Sequence, residues 1–591
     1  MVVIGKVWRV SGPLVIAENM SGSMIYEVVY IGNDALIGEI IGIQGDKAFI
    51  QVYEDTSGVS VGEPVEGSGK LLSAELGPGL IGKVFDGLQR PLSELEVLIG
   101  PFVKRGVKAS SLPKDVKWFF RREKGLEIGS KVGPNDIIGY VEETPIMTHK
   151  IMVPHGVSGY LKEVVGDGDY RVDEVIARVE SGGKVFNIKM YQEWPIRKSR
   201  PYVRRLEPTE LLITGTRVLD ALFPVAVGGK AAVPGGFGSG KTVLLQTLTK
   251  WSRTHINIYV GCGERGNEMA DALHSFKKLV DPSSGRPLYE KAIFIANTSN
   301  MPVAARETSV FLGATLGEYF RDMGYDVLLV ADSTSRWAEA MREISARMEE
   351  MPGEEGFPAY LGSRLASFYE RSGRVECVGN PSRSGSLTIF GAVSPPGADF
   401  SEPVTQNTLR YIGTLISLDV SLANRRHFPS VSWLLSYSLY VDNVSAWWSK
   451  FNTSWSELRR EFLRLLQKEA ELMEIVRLVG PDALPDQDKL ILEVSKMIRE
   501  DFLQQSAYHP IDSYSPPEKT LMMMDIILKY YKKAYDVLLQ GVPLVSIKEL
   551  PIRAKISRMK EVSPNEFSKF YVNIVNEIEE SFNNLVKGVV G

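Results

Sequence analysis

The stretch GGFGSGKT at residues 235–242 decides how the rest of the chain is interpreted. It follows the apolar run AAV (231–233) and precedes VLLQTLTKW (243–251), which is compatible with a helix. Glycines let successive backbone N–H groups point into one cavity, and a following helix adds its positive N-terminal end. The pattern predicts a phosphate-binding loop made of Gly235, Gly236, Phe237, Gly238, Ser239, Gly240, Lys241 and Thr242. Lys241 would reach the terminal phosphates, and the Thr242 hydroxyl would coordinate Mg²⁺.

A phosphate loop of this type needs an acidic residue at the end of a buried strand to hold the metal. The run VLLVAD (327–332) supplies Asp332 after five apolar residues. Ligands of open α/β sheets bind at the carboxyl ends of the strands, which is where this carboxylate would emerge. The alternative is that Asp332 only caps the helix that follows it.

A hydrolytic site also needs a base or a group that orients water near the terminal phosphate. The run INIYVG (256–261) leads into CGERGNE (262–268), which places Glu264 on a glycine-flanked turn at the same predicted sheet edge. Arg265 would neutralise negative charge around the phosphates. The alternative is a surface turn whose charges face water, and Arg336 likewise is either a phosphate contact or a solvated helix charge.

On either side of this region, the pattern of apolar residues along the chain changes several times. Short β-branched runs with glycine turns occupy the first 70 residues, including a hairpin signal at Gly45-Asp46, and residues 106–189 form a second β-rich module. Between about 190 and 442, apolar runs alternate with helical stretches, as in a parallel sheet covered on both faces. Amphipathic helices follow, and Ser454 with Glu457 predicts a capping box at the start of one of them.

Composition argues against several classes of protein. A chain of 591 residues, 44% of them hydrophobic, is too long to form a single domain. Its net charge of −4 disfavours a nucleic-acid binder. Two cysteines, Cys262 and Cys377, offer no disulfide framework and fit a reducing compartment. The amino-terminal segment lacks a signal-peptide core, and no run of about 18 apolar residues could span a bilayer. These features predict a soluble chain whose membrane role, if any, depends on partners.

The motifs around the phosphate loop resemble the catalytic A subunits of archaeal-type and vacuolar-type rotary ATPases. The resemblance rests on PGGFGSGKT (234–242), YVGCGERGNEM (259–269), IANTSNMPVAARE (295–307), VADSTSRWAEA (330–340), GAVSPPGADFSEPVTQNTLR (391–410) and SYSLYVD (436–442), and it extends over essentially the whole chain. It implies a multidomain architecture: an N-terminal β-barrel at 1–70, a RecA-like P-loop α/β domain at 71–105 and 190–442, an inserted β-rich bulge module at 106–189, and a C-terminal α-helical bundle at 443–591.

The resemblance also implies roles for individual residues. Glu264 matches the carboxylate that activates the attacking water, and Asp332 matches the acidic partner of the Mg²⁺ ion. Arg265, Glu268 and Arg336 fall on positions that contact phosphate or support the ligands of the metal. Phe428 (in RRHFPS) and Tyr508 (in FLQQSAY) match the adenine pocket. One departure is Gly236, where the family usually has proline, so the loop loses a restraint on φ.

The resemblance further implies substrates, partners and location. ATP, or ADP and phosphate, would be the substrates, with Mg²⁺ as cofactor. Three A subunits would alternate with three non-catalytic B subunits that each supply an arginine finger. Central-stalk subunits D and F, peripheral-stalk subunits E and H/G, and a membrane sector carrying protons or sodium ions would complete an assembly at the cytoplasmic face of the cell membrane.

Three alternatives remain open from the residues. A homohexameric RNA-translocating helicase or export ATPase would share the phosphate loop and Asp332, but the insert and the near-neutral charge argue against it. A non-catalytic regulatory subunit is disfavoured by the presence of both Lys241 and Glu264. An F-type β subunit is disfavoured by the insert and by the GERGNEM motif (263–269).

Overall fold

The computed structural model describes residues 3–100, 105–107, 109–281 and 284–590. Residues 1, 2 and 591, which begin and end the predicted domain spans, lie outside this range, as do residues 101–104 of the predicted 71–105 segment. The chain forms two compact units. Unit 1 comprises Met1–Glu207, Gly228–Lys230 and Thr254–Ile412; unit 2 comprises Pro208–Val227, Ala231–Arg253 and Gly413–Gly591.

Unit 1 begins with a closed β-barrel, as predicted. Its six strands are β1 (Ile4–Ser11), β2 (Leu14–Glu18), β3 (Glu27–Ile31), β4 (Leu36–Gln44), β5 (Lys47–Val52) and β6 (Pro64–Leu71). They pair antiparallel in the order β1-β2-β5-β4-β3-β6 around a core that includes Val15, Ile40 and Ile50. The predicted hairpin at Gly45 joins β4 to β5, and Gly45 takes the positive φ of 66° that this tight turn requires.

The predicted inserted module is also present in unit 1. The elements in and around it are β7 (Ser73–Leu76), β8 (Val84–Phe85), α1 (Leu92–Ile99), β9 (Lys117–Arg122), β10 (Lys131–Val132), β11 (Ile137–Thr144), β12 (Met147–Met152), β13 (Gly159–Val164), β14 (Gly168–Arg171), β15 (Val175–Ser181), β16 (Lys184–Lys189), β17 (Gln192–Pro195) and β18 (Arg204–Leu206). Two four-stranded sheets, β10-β13-β15-β16 and β12-β11-β9-β14, enclose a core that includes Phe120, Ile138 and Val179. Strand β17 pairs with β7 just outside the module.

The strand and helix alternation predicted between 190 and 442 is confirmed. Its elements are β19 (Lys230–Pro234), α2 (Lys241–Trp251), β20 (Ile256–Glu264), α3 (Gly266–Lys278), β21 (Ala292–Thr298), α4 (Val303–Asp322), β22 (Asp326–Asp332), α5 (Thr334–Arg347), α6 (Leu361–Tyr369), β23 (Gly373–Glu376), β24 (Ser384–Val393), α7 (Pro403–Leu409), β25 (Thr414–Leu415), α8 (Val420–Asn424) and β26 (Tyr437–Ser438). In unit 1, β24, β22, β20, β21 and β8 lie side by side and run parallel. In unit 2, β19 runs parallel to β25, which pairs antiparallel with β26.

The carboxyl-terminal part of unit 2 is helical, as predicted. Its helices are α9 (Val441–Trp448), α10 (Trp455–Val479), α11 (Asp486–Met497), α12 (Pro517–Leu539), α13 (Leu544–Lys548), α14 (Ile552–Ser557) and α15 (Pro564–Val590). The capping box predicted for α10 is wrong: Ser454 is at the N-cap, but its hydroxyl donates to Asn452 Oδ1 at 2.7 Å instead of accepting from the helix. Ser454 has φ −86° and ψ 1°, outside the extended region in which an N-cap side chain usually accepts from the first turn of its helix.

Shorter helical turns complete the structure. π-helices span Val218–Leu222 and Ile498–Leu503, and 3₁₀ turns span Leu288–Lys291, Glu354–Gly356, Pro396–Ala398, Pro481–Ala483 and Met559–Glu561. Within the described ranges, no helix combines the length and the apolar character needed to cross a membrane. Cys262 and Cys377 are both buried free thiols, in agreement with the predicted absence of a disulfide.

Candidate functional site

The predicted phosphate loop lies in unit 2 between β19 and α2. Gly238 and Gly240 take positive φ values of 78° and 81°, and Gly240 is the N-cap of α2. A residue with a β-carbon is disfavoured in this region of φ, so the two glycines allow the loop to turn into the helix. The loop is held by its own hydrogen bonds, since Ser239 Oγ donates to Gly236 O at 2.8 Å and Lys241 Nζ donates to Gly235 O at 3.0 Å.

A cavity of about 410 Å³ lies beside this loop, also within unit 2. Both aromatic residues predicted for the adenine pocket line it, together with Gly238 and Gly240 of the loop. Phe428 is packed so closely that a β-carbon at Gly240 would lie 3.1 Å from its ring, whereas Tyr508 is 86% exposed. The structure thus brings two aromatic residues and the phosphate loop to one cavity of a size suited to a small ligand such as a purine base.

The predicted carboxylates lie in unit 1, at the carboxyl ends of two adjacent parallel strands. Gly261 of β20 is paired with Asp332 of β22, and Glu264 is the last residue of β20. Asp332 is 2% exposed and accepts a hydrogen bond from the Tyr259 hydroxyl at 2.8 Å. It is not the N-cap of the following helix, because Ser333 takes that position. Asp332 is therefore a buried carboxylate at the end of its strand, where the sequence predicts it.

Glu264 is oriented by its neighbours. Ser333 Oγ donates to Glu264 Oε1, and Ser333 has the positive φ of 63° that is uncommon for a residue with a side chain. Gly263 also has positive φ, and a β-carbon there would lie 2.8 Å from the β-carbon of Arg336 on α5. The glycine that precedes Glu264 therefore lets the turn approach α5 closely.

The charged residues around this turn differ in their environments. Arg265 is exposed at the N-cap of α3, and Glu268 is half-buried in the first turn of that helix. Arg336 donates to Glu339 Oε2 at 2.8 Å, and its hydrogen bond and ion pair with Glu339 raise the pKa of Arg336. The negative charge of Glu264 acts in the same direction. Arg336 is thus both ion-paired on its helix and within the electrostatic reach of Glu264.

Sequence reasoning missed two residues at this edge, Tyr259 and Arg306. Tyr259 stands in an otherwise apolar buried strand, and a buried tyrosine hydroxyl usually has a partner, which is the signal that could have pointed to it. Arg306 on α4 donates to Ser299 O and packs near Gly263. No local pattern singles it out among the other arginines.

Each of the two predicted metal ligands carries a donor atom that suits Mg²⁺. Among the residues that the structure describes, no group of three or more His, Cys, Asp or Glu could hold a metal ion. Mg²⁺ is commonly bound by one or two protein oxygens together with substrate phosphates and water, so it does not require such a group. The carboxylate of Asp332 and the hydroxyl of Thr242 are oxygen donors of the type that Mg²⁺ prefers.

Comparison with known families assigns all four predicted regions. Residues 7–69 match the ATP synthase alpha/beta family beta-barrel domain, and residues 109–197 match the ATPsynthase alpha/beta subunit barrel-sandwich domain. Residues 215–438 match the ATP synthase alpha/beta family nucleotide-binding domain, and residues 445–546 match the C-terminal domain of V and A type ATP synthase.

The similarity to individual proteins extends over nearly the full chain. The A subunit of the A-type ATP synthase of Staphylothermus marinus is 62% identical over 99% of this chain and 98% of that protein. The protein of the same name from Methanopyrus kandleri is 55% identical over the same shares. Among solved structures, the assembled ATPase EscN of the enteropathogenic E. coli type III secretion system aligns with a TM-score of 0.64 and 22% identity, covering 89% of this chain and 100% of that one. At that identity the structural match shows a shared fold.

Proposed function

Since the chain belongs to the family of A-type ATP synthase A subunits, we propose that it binds Mg-ATP through the phosphate loop and the adjoining cavity, as the catalytic subunit of a rotary ATP synthase. This proposal rests on two facts taken together: the similarity to A-type ATP synthase A subunits extends over nearly the whole chain, and the phosphate loop is intact up to Lys241 and Thr242. The insert matches the barrel-sandwich domain of this family, which weighs against the export-ATPase alternative.

Each predicted residue has a role in this proposal. Lys241 and the loop amides bind the β and γ phosphates, while Phe428 and Tyr508 stack on adenine. Thr242 and Asp332 would hold Mg²⁺, which when bound neutralises phosphate charge, and Glu268 supports the metal's surroundings. Glu264, oriented by Ser333, positions the attacking water. Arg265 and Arg336 stabilise negative charge on the transferred phosphoryl group, and Arg306 is a further cation at this edge.

The chain is part of a multi-subunit ATP synthase complex. We propose that three copies alternate with three non-catalytic B subunits, each of which contributes an arginine to the site. The C-terminal helices would act on central-stalk subunits D and F, and the insert is the expected contact for peripheral-stalk subunits E and H/G. The assembly would lie at the cytoplasmic face of the membrane and couple ATP turnover to proton or sodium transport.

The domain spans proposed for this role are those of the sequence: barrel at 1–70, insert at 106–189, nucleotide domain at 71–105 and 190–442, and helical domain at 443–591. Their test is expression of the 106–189 segment alone, which should fold with the two-sheet core of the intact chain. A disordered segment would move these boundaries.

The function is tested by measuring Mg²⁺-dependent ATP hydrolysis of the full chain alone and after mixing with its B subunit, with the mass of each assembly recorded. We expect weak turnover alone and strong turnover in a mixed hexamer, because the B subunit supplies part of the site. Strong activity in a homohexamer without a partner would instead support the homomeric ATPase alternative.

A further inference from the structure

Arg217 is a buried cation next to the cavity that the proposed function assigns to the nucleotide base. Its side chain is 0% exposed, and it lies directly after Thr216, which lines the cavity. It stands immediately before the π-helix Val218–Leu222. The proposed phosphate chemistry does not use this residue, and a fully buried guanidinium requires partners that satisfy its charge and donors.

Those partners all belong to the segment that follows α11. Arg217 Nε donates to Phe502 O at 2.6 Å and Nη2 donates to Gln504 O at 2.9 Å, so the guanidinium caps the carboxyl end of the π-helix Ile498–Leu503. A cation at a helix carboxyl end is favourable because the last carbonyls carry partial negative charge. Nη1 donates to Asp512 Oδ1 at 2.6 Å, which neutralises the charge.

The residues held in this way form one edge of the cavity. We call residues 504–508 the base rim, since each of them lines the cavity and Tyr508 is the last. Asp512 Oδ2 accepts a hydrogen bond from Ser506 N at 2.9 Å. The carboxylate that pairs with Arg217 is therefore also bonded to the middle residue of the base rim. Gln505 adds a second link: its Oε1 accepts from Arg217 N at 2.8 Å, and its Nε2 donates to Gly215 O at 2.8 Å.

The base rim is also bonded to the opposite aromatic residue. Gln505 N donates to Phe428 O at 2.9 Å. The two aromatic candidates for adenine stacking therefore sit on segments that meet at Gln505, and Gln505 is itself fixed by Arg217 and Gly215. The geometry points to Arg217 as a positioning residue for the nucleotide base, acting by holding the base rim against the Phe428 segment.

This inference rests on the proposed function, because it takes the cavity to be the base site. It predicts a specific defect. If loss of the Arg217 hydrogen bonds leaves the base rim in its binding arrangement in only about one tenth of molecules, the affinity for a ligand that carries the base falls about tenfold. Binding of phosphates to the loop residues 235–242 is unaffected, because Arg217 contacts none of them through the bonds described above.

The test compares two ligands on the full chain: Mg-ATP, and magnesium tripolyphosphate, which has the phosphates but no base. Arg217→Lys keeps the positive charge, but a lysine lacks the planar, forked guanidinium that donates to three separate acceptors here. Gln505→Met leaves the buried ion pair intact and removes the amide links. For both variants we expect the Kd of Mg-ATP to rise about tenfold and that of tripolyphosphate to stay within twofold. The matched control is Ser495→Ala, which removes one buried hydrogen bond to Leu465 O between α10 and α11, and should change neither Kd.

Each other outcome overturns the inference. An unchanged ratio of the two dissociation constants in folded variants, or an equal rise in both, would make Arg217 a structural residue without a role toward the base. Phe428→Ala separates this from failure of the proposed base site. If Phe428→Ala leaves Mg-ATP affinity unchanged, the cavity is not the base site, and both the assignment of the base site and the role of Arg217 are wrong. If Phe428→Ala weakens the binding of Mg-ATP but not of tripolyphosphate, the base site stands, and a negative result for the Arg217 and Gln505 variants overturns only the role of Arg217.

Discussion

Tyr259→Phe should weaken the response of the enzyme to Mg²⁺ without removing any proposed metal ligand. The Tyr259 hydroxyl donates to Asp332 Oδ2 at 2.8 Å, and both residues are 2% exposed. Burial and the Asp332 charge raise the pKa of Tyr259 well above its ordinary value, so the hydroxyl remains a donor at any pH at which the protein works. The substitution deletes one oxygen and leaves the ring in place.

The magnitude follows from the type of bond. A buried hydrogen bond to a charged group contributes about 1.5–3 kcal/mol, and loss of a partner that orients a metal ligand typically costs about 10- to 100-fold in metal affinity. We therefore expect the half-saturating free Mg²⁺ concentration for ATP hydrolysis by the assembled complex to rise at least about tenfold. At saturating Mg²⁺, kcat should stay within a few-fold, because the proposed catalytic groups are unchanged.

Tyr319→Phe is the matched control for this experiment. Tyr319 is also buried in unit 1, and its hydroxyl contacts His149 Nε2 at 2.8 Å, so the control removes a similar oxygen from a different network. It should leave the Mg²⁺ dependence unchanged. An unchanged half-saturating Mg²⁺ concentration in Tyr259→Phe would refute the assignment of Asp332 to the metal.

Three further predictions address the remaining features. Glu264→Gln should retain bound nucleotide yet lower turnover of the assembled complex by about 10²–10⁴-fold, since an amide cannot take a proton from water; near-normal turnover would remove Glu264 from this role. Gly236→Pro should leave Mg-ATP affinity within a few-fold, because Gly236 is not among the loop glycines with positive φ; complete loss of binding in a titration would contradict this. Burial, followed by the charge of Arg200, lowers the pKa of His155 from 6.5 to about 4. Between pH 6.5 and 4 the unfolded chain therefore binds a proton at His155 that the native chain does not. The free energy of unfolding consequently falls as the pH falls through that range. His155→Gln should therefore lose less Tm than the unsubstituted chain between pH 6.5 and 4, and parallel Tm curves would show that His155 does not contribute.

Features encoded by contiguous residues were predictable from the sequence. The Gly45 hairpin, the loop between β19 and α2, and the strand ending at Asp332 depend on turn chemistry and on the apolar run beside them. The error at Ser454 is also local, because the capping pattern takes no account of the backbone conformation of Ser454, which is not extended at φ −86° and ψ 1°. The contacts of Tyr259 and Arg217 were not predictable, because their partners lie 73 and up to 295 residues away along the chain.

The grouping of residues into units bears on how base binding can act on the helical part of the chain. Phe428 precedes residue 442 and Tyr508 follows it, yet both line one cavity within unit 2. The backbone bond from Gln505 to Phe428 joins these segments, and Arg217 ties the base rim to the end of the helix that begins as α11. A base held in the proposed site would therefore lie beside residues 504–508, which are continuous with the helix that begins as α11. Within unit 2, the hydrogen bonds of Gln505 and Arg217 therefore link the proposed base cavity to the helix that begins as α11.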